Sequence, residues 1–169
     1  PWLTVEENVR LAVDQTMRKA SRAEKRDWVM SNLELVQMTH AASKRPAEIS
    51  GGMKQRVGIA RAIAMQPRVL LMDEPFGALD AMTREKMNVE LMRIQRETGK
   101  TVLLITHSIP EAVFLADRVL VMTERPGAIA AIYDVPLPRP RSLDAMADPA
   151  FTELVQRIRR HFFTQSALD

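Results

Sequence analysis

The chain has 169 residues, of which 46% are hydrophobic and 27% charged, with a formal net charge of +3 and no cysteine. This length suits one domain or one large part of a domain, and the lack of cysteine excludes disulfide bonds and cysteine-ligated metal sites. No apolar run approaches the roughly 20 residues of a transmembrane helix, and the first residues lack the basic and apolar blocks of a secretory signal.

The first part of the sequence is predicted to be helical. Thr4–Glu7 and Ser21–Glu24 have the form of capping boxes, so we expect helices from there to about Lys19 and about Gln37. Five basic residues lie at positions 18–26, with Glu24 among them and Asp27 directly after them, and no aromatic side chain lies between them for base stacking. We interpret them as a solvated helix face and expect no nucleic-acid partner.

The helical pattern changes after a polar loop predicted over His40–Glu48. A helix is expected over Gly52–Met65, and the short apolar run Val69–Met72 then predicts a buried strand. A second helix is expected over Met82–Glu97, with Gly99 as its stop.

The alternation of strands and helices continues along the chain. The next predicted elements are a strand over Thr101–Ile105, a helix from Ser108 to about Ala116, and strands over Val119–Met122 and Ala128–Val135. This order favours an α/β fold with a parallel or largely parallel sheet covered on both faces. We therefore divide the chain into a helical subdomain (1–65), an α/β core (66–135), and a proline-rich linker with a terminal helix (136–169).

Two adjacent carboxylates, Asp73 and Glu74, end the first predicted strand. In open α/β sheets, ligands bind beyond the carboxyl ends of the strands. One carboxylate there can hold Mg²⁺, usually through water, and the next can orient or deprotonate an attacking water. Two solvated acids at a strand end are the alternative, and the pair alone does not decide between them.

Ser50, Gly51 and Gly52 precede a predicted helix. Glycines let the backbone approach an anion closely, and the free N–H groups at a helix start favour phosphate. For these three residues alone, an ordinary N-cap is the simpler interpretation. The longer string Ile49–Arg56 is harder to explain as a cap alone and favours a phosphate contact.

His107 follows the second predicted strand, where an imidazole can contact a γ-phosphate. A single histidine is more often structural, but His107 lies one strand and one helix after Glu74. We therefore expect the ends of these two strands to lie side by side. Asp80 is predicted to cap the helix after Pro75, and that cap is its simplest role.

Together these residues resemble the ATP-binding subunit of ATP-binding-cassette (ABC) transporters. Ser50–Gln55 is similar to the family signature, with Met53 where many members have glutamine. Leu70–Pro75 resembles the Walker B strand, Ala78–Asp80 the D-loop and Thr106-His107 the switch histidine. Four motifs in the right order and at suitable spacing make this resemblance specific.

A narrower resemblance points to one group of importers within that family. Pro1–Val9, Met122–Gly127 and Pro136–Arg141 are similar to segments of the nitrate, taurine and alkanesulfonate importers. The resemblance implies a partial P-loop NTPase core of the ABC type that uses ATP and Mg²⁺ to power the uptake of a small anion or sulfonate-like solute. It also implies a peripheral location on the cytoplasmic face of the cell membrane.

The resemblance further implies a mechanism with two copies that close head to tail around two ATP molecules. Asp73 would coordinate Mg²⁺, Glu74 would be the general base, and His107 would sense the γ-phosphate. The residues implied to act at the nucleotide of the other copy or across the dimer are Ser50, Gly51, Gly52, Gln55 and Asp80. The implied partners are a second ATPase subunit, membrane-spanning permease subunits and, indirectly, a solute-binding protein.

The chain also departs from the family at the phosphate loop. It contains no Gly-x-x-x-x-Gly-Lys-Ser/Thr phosphate loop, and Gly99-Lys100-Thr101 lacks the earlier glycine and follows a helix. We therefore expect the phosphate loop and its strands to lie upstream of Pro1. On this view, the 169 residues alone would not hydrolyse ATP, and their open sheet edge would make them marginally stable and prone to self-association.

Two other interpretations stay open. An ABC-type ATPase acting on DNA or ribosomes is the alternative, although the chain lacks the coiled-coil heptads of DNA-repair members and the second cassette of ribosomal ones. A non-catalytic regulatory piece is the third.

Overall fold

A computed structural model of the protein describes residues 1–165, with side chains up to residue 161. The chain forms two compact units, Pro1–Leu103 and Leu104–Asp169, and each is described by itself. The three segments expected from the motifs stay a prediction, and the last residues of the third, 166–169, lie outside the described residues.

Two helices begin the first unit, and each starts at a side-chain cap. α1 spans Val5–Thr16 and α2 spans Arg22–Leu35. Thr4 and Ser21 each accept a hydrogen bond from the backbone N–H three residues on, at 3.2 Å, and the glutamate there accepts one from the cap residue's N–H at 2.7 Å. The predicted capping boxes are confirmed, and both helices end slightly earlier than expected.

The third helix, α3, spans Gly51–Ala64 and packs against α1 and α2. Two short 3₁₀ turns, Thr39–Ala41 and Pro46–Glu48, occupy the predicted loop. The side chains that the three helices bury completely are small or aliphatic: Val5, Val9, Val13, Val29, Leu33, Ala60 and Ala64. Trp28 also donates to the Ala64 carbonyl at 3.0 Å, which fastens α2 to the end of α3.

A strand, a helix and a second strand follow. β1 (Val69–Asp73) and β2 (Thr101–Ile105) form a two-stranded sheet, and α4 (Ala81–Thr98) joins them. Because the connection is a helical crossover, the pair is parallel, as predicted. α4 ends at Gly99, whose φ of 61° lies in the left-handed region that a residue without Cβ adopts readily.

The sheet differs from the expectation in its cover and its pairing. The run over 69–72 predicts a buried strand, but only Leu70 and Met72 are buried, while Val69 and Leu71 are exposed on the other face. The expected single sheet is observed as two sheets among the described strands. An apolar run indicates a strand that favours burial, but it does not show which neighbours are present to cover it.

The second unit contains an antiparallel hairpin between two helices. α5 spans Ile109–Leu115, and β3 (Arg118–Met122) pairs with β4 (Ile129–Asp134), with a register shift at Val121/Met122. α6, Pro149–Gln165, packs against α5. Across residues 1–165, no helix is both long and apolar enough to cross a membrane.

Candidate functional site

Asp73 and Glu74 lie where β1 ends. Asp73 is the last residue of the strand and is exposed on the same face as Val69 and Leu71, so its carboxylate is open to a ligand. Glu74 is half-buried and has a φ of 45°. A left-handed conformation is uncommon for a residue with a side chain, and such strain often marks a functional position.

A tight turn holds Glu74 in this conformation. The backbone N–H of Gly77 donates to the Glu74 carbonyl at 3.2 Å, and Pro75 fixes the backbone between them. The turn re-aims the chain directly after the strand, so Glu74 does not continue the pleat of β1. The side chains of Asp73 and Glu74 therefore leave the strand end in directions set by two different backbone conformations.

Ser50 caps α3, and its geometry leaves two glycine amides at the helix start. The Ser50 hydroxyl accepts a hydrogen bond from the Met53 N–H at 3.3 Å, and the Lys54 N–H bonds to the Ser50 carbonyl at 3.0 Å. The first N–H groups of a helix have no partner within the helix. The amides of Gly51 and Gly52 therefore carry the partial positive charge that attracts an anion.

The structure gives these glycines a second role that the sequence did not reveal. A Cβ added to Gly51 would lie 3.3 Å from Leu79 Cδ2, and one added to Gly52 would lie 2.9 Å from Thr83 Cγ2. The start of α3 therefore packs closely against the start of α4. This contact brings the predicted residues Ser50–Gly52 and Asp80 to the same end of the first unit.

Asp80 is the N-cap of α4, as predicted. Its carboxylate accepts a hydrogen bond from the Thr83 N–H at 3.0 Å. Hydrogen bonding from the Thr83 side chain and backbone holds the pKa of Asp80 below its ordinary value. Arg84 donates to the Leu79 carbonyl at 3.0 Å and so fixes the residue before the cap. Arg84 is a contributor that the motifs did not indicate.

An open depression of about 330 Å³ lies at this end of the unit. The residues that line it come from α3, α4 and the segment after α2: Gln37, Met38, His40, Ser50, Gly52, Met53, Arg56, Thr83, Lys86 and Met87. Arg56 and Lys86 add positive charge to a helix N-terminus, which favours a phosphate-like ligand. Gln55 is half-buried on α3 beside Arg56.

A partly buried ion-pair network beside this depression joins α4 to α3 and to the end of α2. Glu90 on α4 pairs with Arg93 at 2.8 Å and with Arg56 of α3 at 3.6 Å. Arg93 donates to the Leu35 carbonyl, and Arg56 donates to the Val36 carbonyl at 3.1 Å. The hydrogen bonds that Arg93 donates to the carboxylates of Glu90 and then Glu97 raise the pKa of Arg93. In the sequence, the one sign of this network is Glu90, an acidic residue among the apolar positions of α4.

His107 lies in the second unit and is exposed. Two hydrogen bonds of Ser108 restrict the His107 backbone. The Ser108 N–H donates to the Thr106 hydroxyl at 3.1 Å, and the Ser108 hydroxyl caps α5 by accepting from the Glu111 N–H at 3.4 Å. Glu74 belongs to the first unit, so the expected proximity of Glu74 and His107 stays a prediction.

The family model described as ABC transporter matches residues 1–77. The nitrate transport protein NasD of Klebsiella oxytoca is 54% identical over 164 residues, covering 96% of this chain and 63% of NasD. The bicarbonate transport ATP-binding protein CmpD of Synechococcus elongatus (strain ATCC 33912) is 51% identical over 156 residues, covering 91% of this chain and 56% of CmpD. The chain thus spans less than two thirds of the length of these curated relatives.

Solved structures agree with these relatives. The dimeric post-hydrolysis state of the ATP-binding cassette MJ0796 bound to ADP and Pi superposes with a TM-score of 0.65 at 35% identity, covering 80% of this chain and 58% of that chain. The names of the two relatives concern transport, and neither concerns nucleic acid.

Proposed function

Since this chain belongs to the ABC transporter family, we propose that it is part of an ATP-binding subunit that powers the import of a small anion. The observation that carries the proposal is the packing of the α3 start against Leu79–Thr83, which places an anion-attracting helix end beside the Asp80 cap. The nitrate and bicarbonate transport proteins among the relatives support an anionic substrate.

In this proposal, the strand end supplies the chemistry of hydrolysis. Asp73 coordinates Mg²⁺, an ion that uses one or two carboxylates together with water and phosphate oxygens, and its exposed position on β1 suits that role. Glu74 acts as the general base toward the attacking water. His107 contacts the γ-phosphate, and its backbone is restricted by the hydrogen bond from the Ser108 N–H to the Thr106 hydroxyl and by the Ser108 cap of α5.

The α3 start acts on a second nucleotide in this proposal. Ser50, Gly51 and Gly52 contact the γ-phosphate of an ATP held by a second copy, with Gln55 beside them, and Asp80 lies across the dimer interface. Positioning and charge stabilisation are what phosphoryl transfer requires most. A dimeric ATP-binding cassette among the similar structures supports this assembly. In this proposal, ATP hydrolysis drives membrane-spanning permease subunits, and the ATP-binding subunit lies on the cytoplasmic face of the membrane.

The test is Mg²⁺-dependent ATP hydrolysis by the full-length protein that contains these 169 residues. We expect Glu74→Gln to lower turnover by at least about 100-fold, because a general base is lost, while nucleotide binding persists. Glu124→Gln, which alters an exposed acid in the β3–β4 connection, is the matched control. Full turnover in Glu74→Gln would contradict the proposed role, and a full-length protein without turnover would contradict the function.

The 169-residue chain itself provides a further test. It contains no phosphate loop of the form Gly-x-x-x-x-Gly-Lys-Ser/Thr, so we expect no ATP hydrolysis above the blank when these residues are purified alone. Turnover by this chain that disappears in Glu74→Gln would show that it holds ATP without that loop.

A further inference from the structure

The helix that follows His107 is short. α5 has seven residues, Ile109–Leu115, and Ser108 caps its first turn. A helix of two turns is not stable in isolation, so contacts at its ends and sides determine where it lies. His107 is separated from the helix by Ser108 alone, and any displacement of α5 therefore moves the His107 backbone.

Two arginines from one short segment bind the other end of α5. Arg141 Nη1 donates to the carbonyls of Val113 at 3.2 Å, Phe114 at 2.9 Å and Ala116 at 2.8 Å. Arg139 Nη2 donates to the Leu115 carbonyl at 2.6 Å. Four consecutive carbonyls at the helix end are thus bound by guanidinium groups, which also complement the negative end of the helix dipole.

Arg141 is unusual because it is a charged side chain inside the second unit. It is 4% exposed, its remaining hydrogen bond goes to the Leu137 carbonyl at 3.1 Å, and its Nε has no partner within the described residues. Burial, and then the charge of Arg139, lower the pKa of Arg141. Such burial costs free energy unless hydrogen bonds offset it, and the carbonyls of α5 supply most of those bonds.

The chemistry of this contact requires arginine. A guanidinium presents five donors in a planar fork and reaches several carbonyls at once, whereas an ammonium offers three donors from one point. Arg139 differs from Arg141 because it is more exposed and pairs with the Asp117 carboxylate at 2.7 Å. Arg141 therefore binds the end of α5 from the interior of the unit, and Arg139 binds it from the surface.

We propose that Arg141 is a positioning residue for His107, because it fastens the segment Leu137–Arg141 to the end of α5 and thereby sets where that helix begins. The proposal rests on the proposed function, in which His107 contacts the γ-phosphate. It assigns a positioning role to the proline-rich segment, which the sequence predicted to be a linker.

The test compares Arg141→Met and Arg141→Lys in the full-length protein that contains this sequence. We expect Arg141→Met to lower kcat for ATP hydrolysis about tenfold, as small misplacements of a reacting group do, with KM changed less than about twofold. Arg141→Lys keeps the charge but not the fork, so its kcat should be intermediate. In nucleotide-free protein, the NMR signals of the His107 ring, assigned with His107→Gln, should shift in Arg141→Met.

Two controls separate positioning from general destabilisation. Val121→Ala removes buried volume from β3 and should lower the melting temperature while leaving the His107 signals and kcat unchanged. Arg139→Gln removes the hydrogen bond from the more exposed arginine to the Leu115 carbonyl and should lower kcat less than Arg141→Met does. If Arg141→Met does not fold, the comparison is made with Arg141→Lys.

Unchanged His107 signals and kcat in a folded Arg141 variant would overturn the positioning role. Failure of the proposed function is a separate result. A wild-type protein without ATP hydrolysis would contradict that function, whereas the ring signals would still test whether Arg141 controls the placement of His107.

Discussion

In the first unit, the helices α1–α3 bury their apolar side chains against one another, whereas β1 buries those on one face only. Val13 and Leu33 are fully buried between helices, but Leu71 of β1 is 71% exposed and Leu103 of β2 is 54% exposed. The helices therefore bury most of their apolar side chains within their own group. The strands carry an apolar face that the described part of the chain does not cover, and a parallel pair normally has both faces covered.

The largest expected effect comes from breaking the helical core. Leu33→Ala removes a fully buried side chain of α2, and we expect a loss of about 3 kcal/mol in the free energy of unfolding, from lost burial and the cavity left behind. Urea unfolding of the 169-residue chain measures it. Leu11→Ala on α1, where the side chain is half exposed, is the matched control. Similar losses in the two variants would show that burial between the helices does not determine the cost of removing a leucine side chain.

A smaller effect is expected from the charged network that joins the helices to α4. Glu90→Gln removes the buried carboxylate charge that pairs with Arg56 and Arg93. We expect the free energy of unfolding to fall by about 2 kcal/mol, because hydrogen bonds to charged groups are stronger than those between neutral groups. Glu97→Gln alters an acid that binds the same Arg93 but is 44% exposed, so it should cost less than about 1 kcal/mol.

Urea unfolding of both glutamine variants measures the difference. Equal losses would mean that the contact with Arg56 on α3 does not stabilise the unit, and that the helices and α4 are held together by apolar packing alone.

The sequence predicted local structure well because local rules determine it. The capping boxes at Thr4 and Ser21, the Asp80 cap and the stop at Gly99 each depend on residues a few positions apart. The cover of β1 could not be predicted, because it depends on which other segments lie beside Val69 and Leu71. The same run of apolar residues would be predicted with or without that cover.

In the candidate site, too, local features could be predicted from the sequence and contacts between distant residues could not. The motifs identified Ser50, Asp73 and Asp80 one by one, and the structure confirms their places at a helix start, a strand end and a helix cap. The close packing of Gly52 on Thr83 was missed, since it joins positions that lie far apart in the sequence and carries no local signal. The roles of all these residues in ATP hydrolysis stay a prediction.

The smallest expected change in folding stability concerns the uncovered strand face. Leu71→Lys replaces an exposed side chain in the centre of β1, so the free energy of unfolding should change by less than about 0.5 kcal/mol. The same substitution places a charge in the apolar face that two copies would share. Because such faces drive association between molecules, we expect the self-association of the 169-residue chain to fall sharply, as measured by sedimentation velocity.

The control for this substitution is Leu11→Lys on α1, which adds the same charge at an exposed leucine away from the strands. If self-association depends on net charge, both variants should reduce it equally, and the strand face then has no special part. If only Leu71→Lys reduces it, the association is localised to the face that distinguishes the strands from the helices. A large loss of stability in Leu71→Lys would instead mean that Leu71 is covered in solution, which would remove the contrast between the two regions.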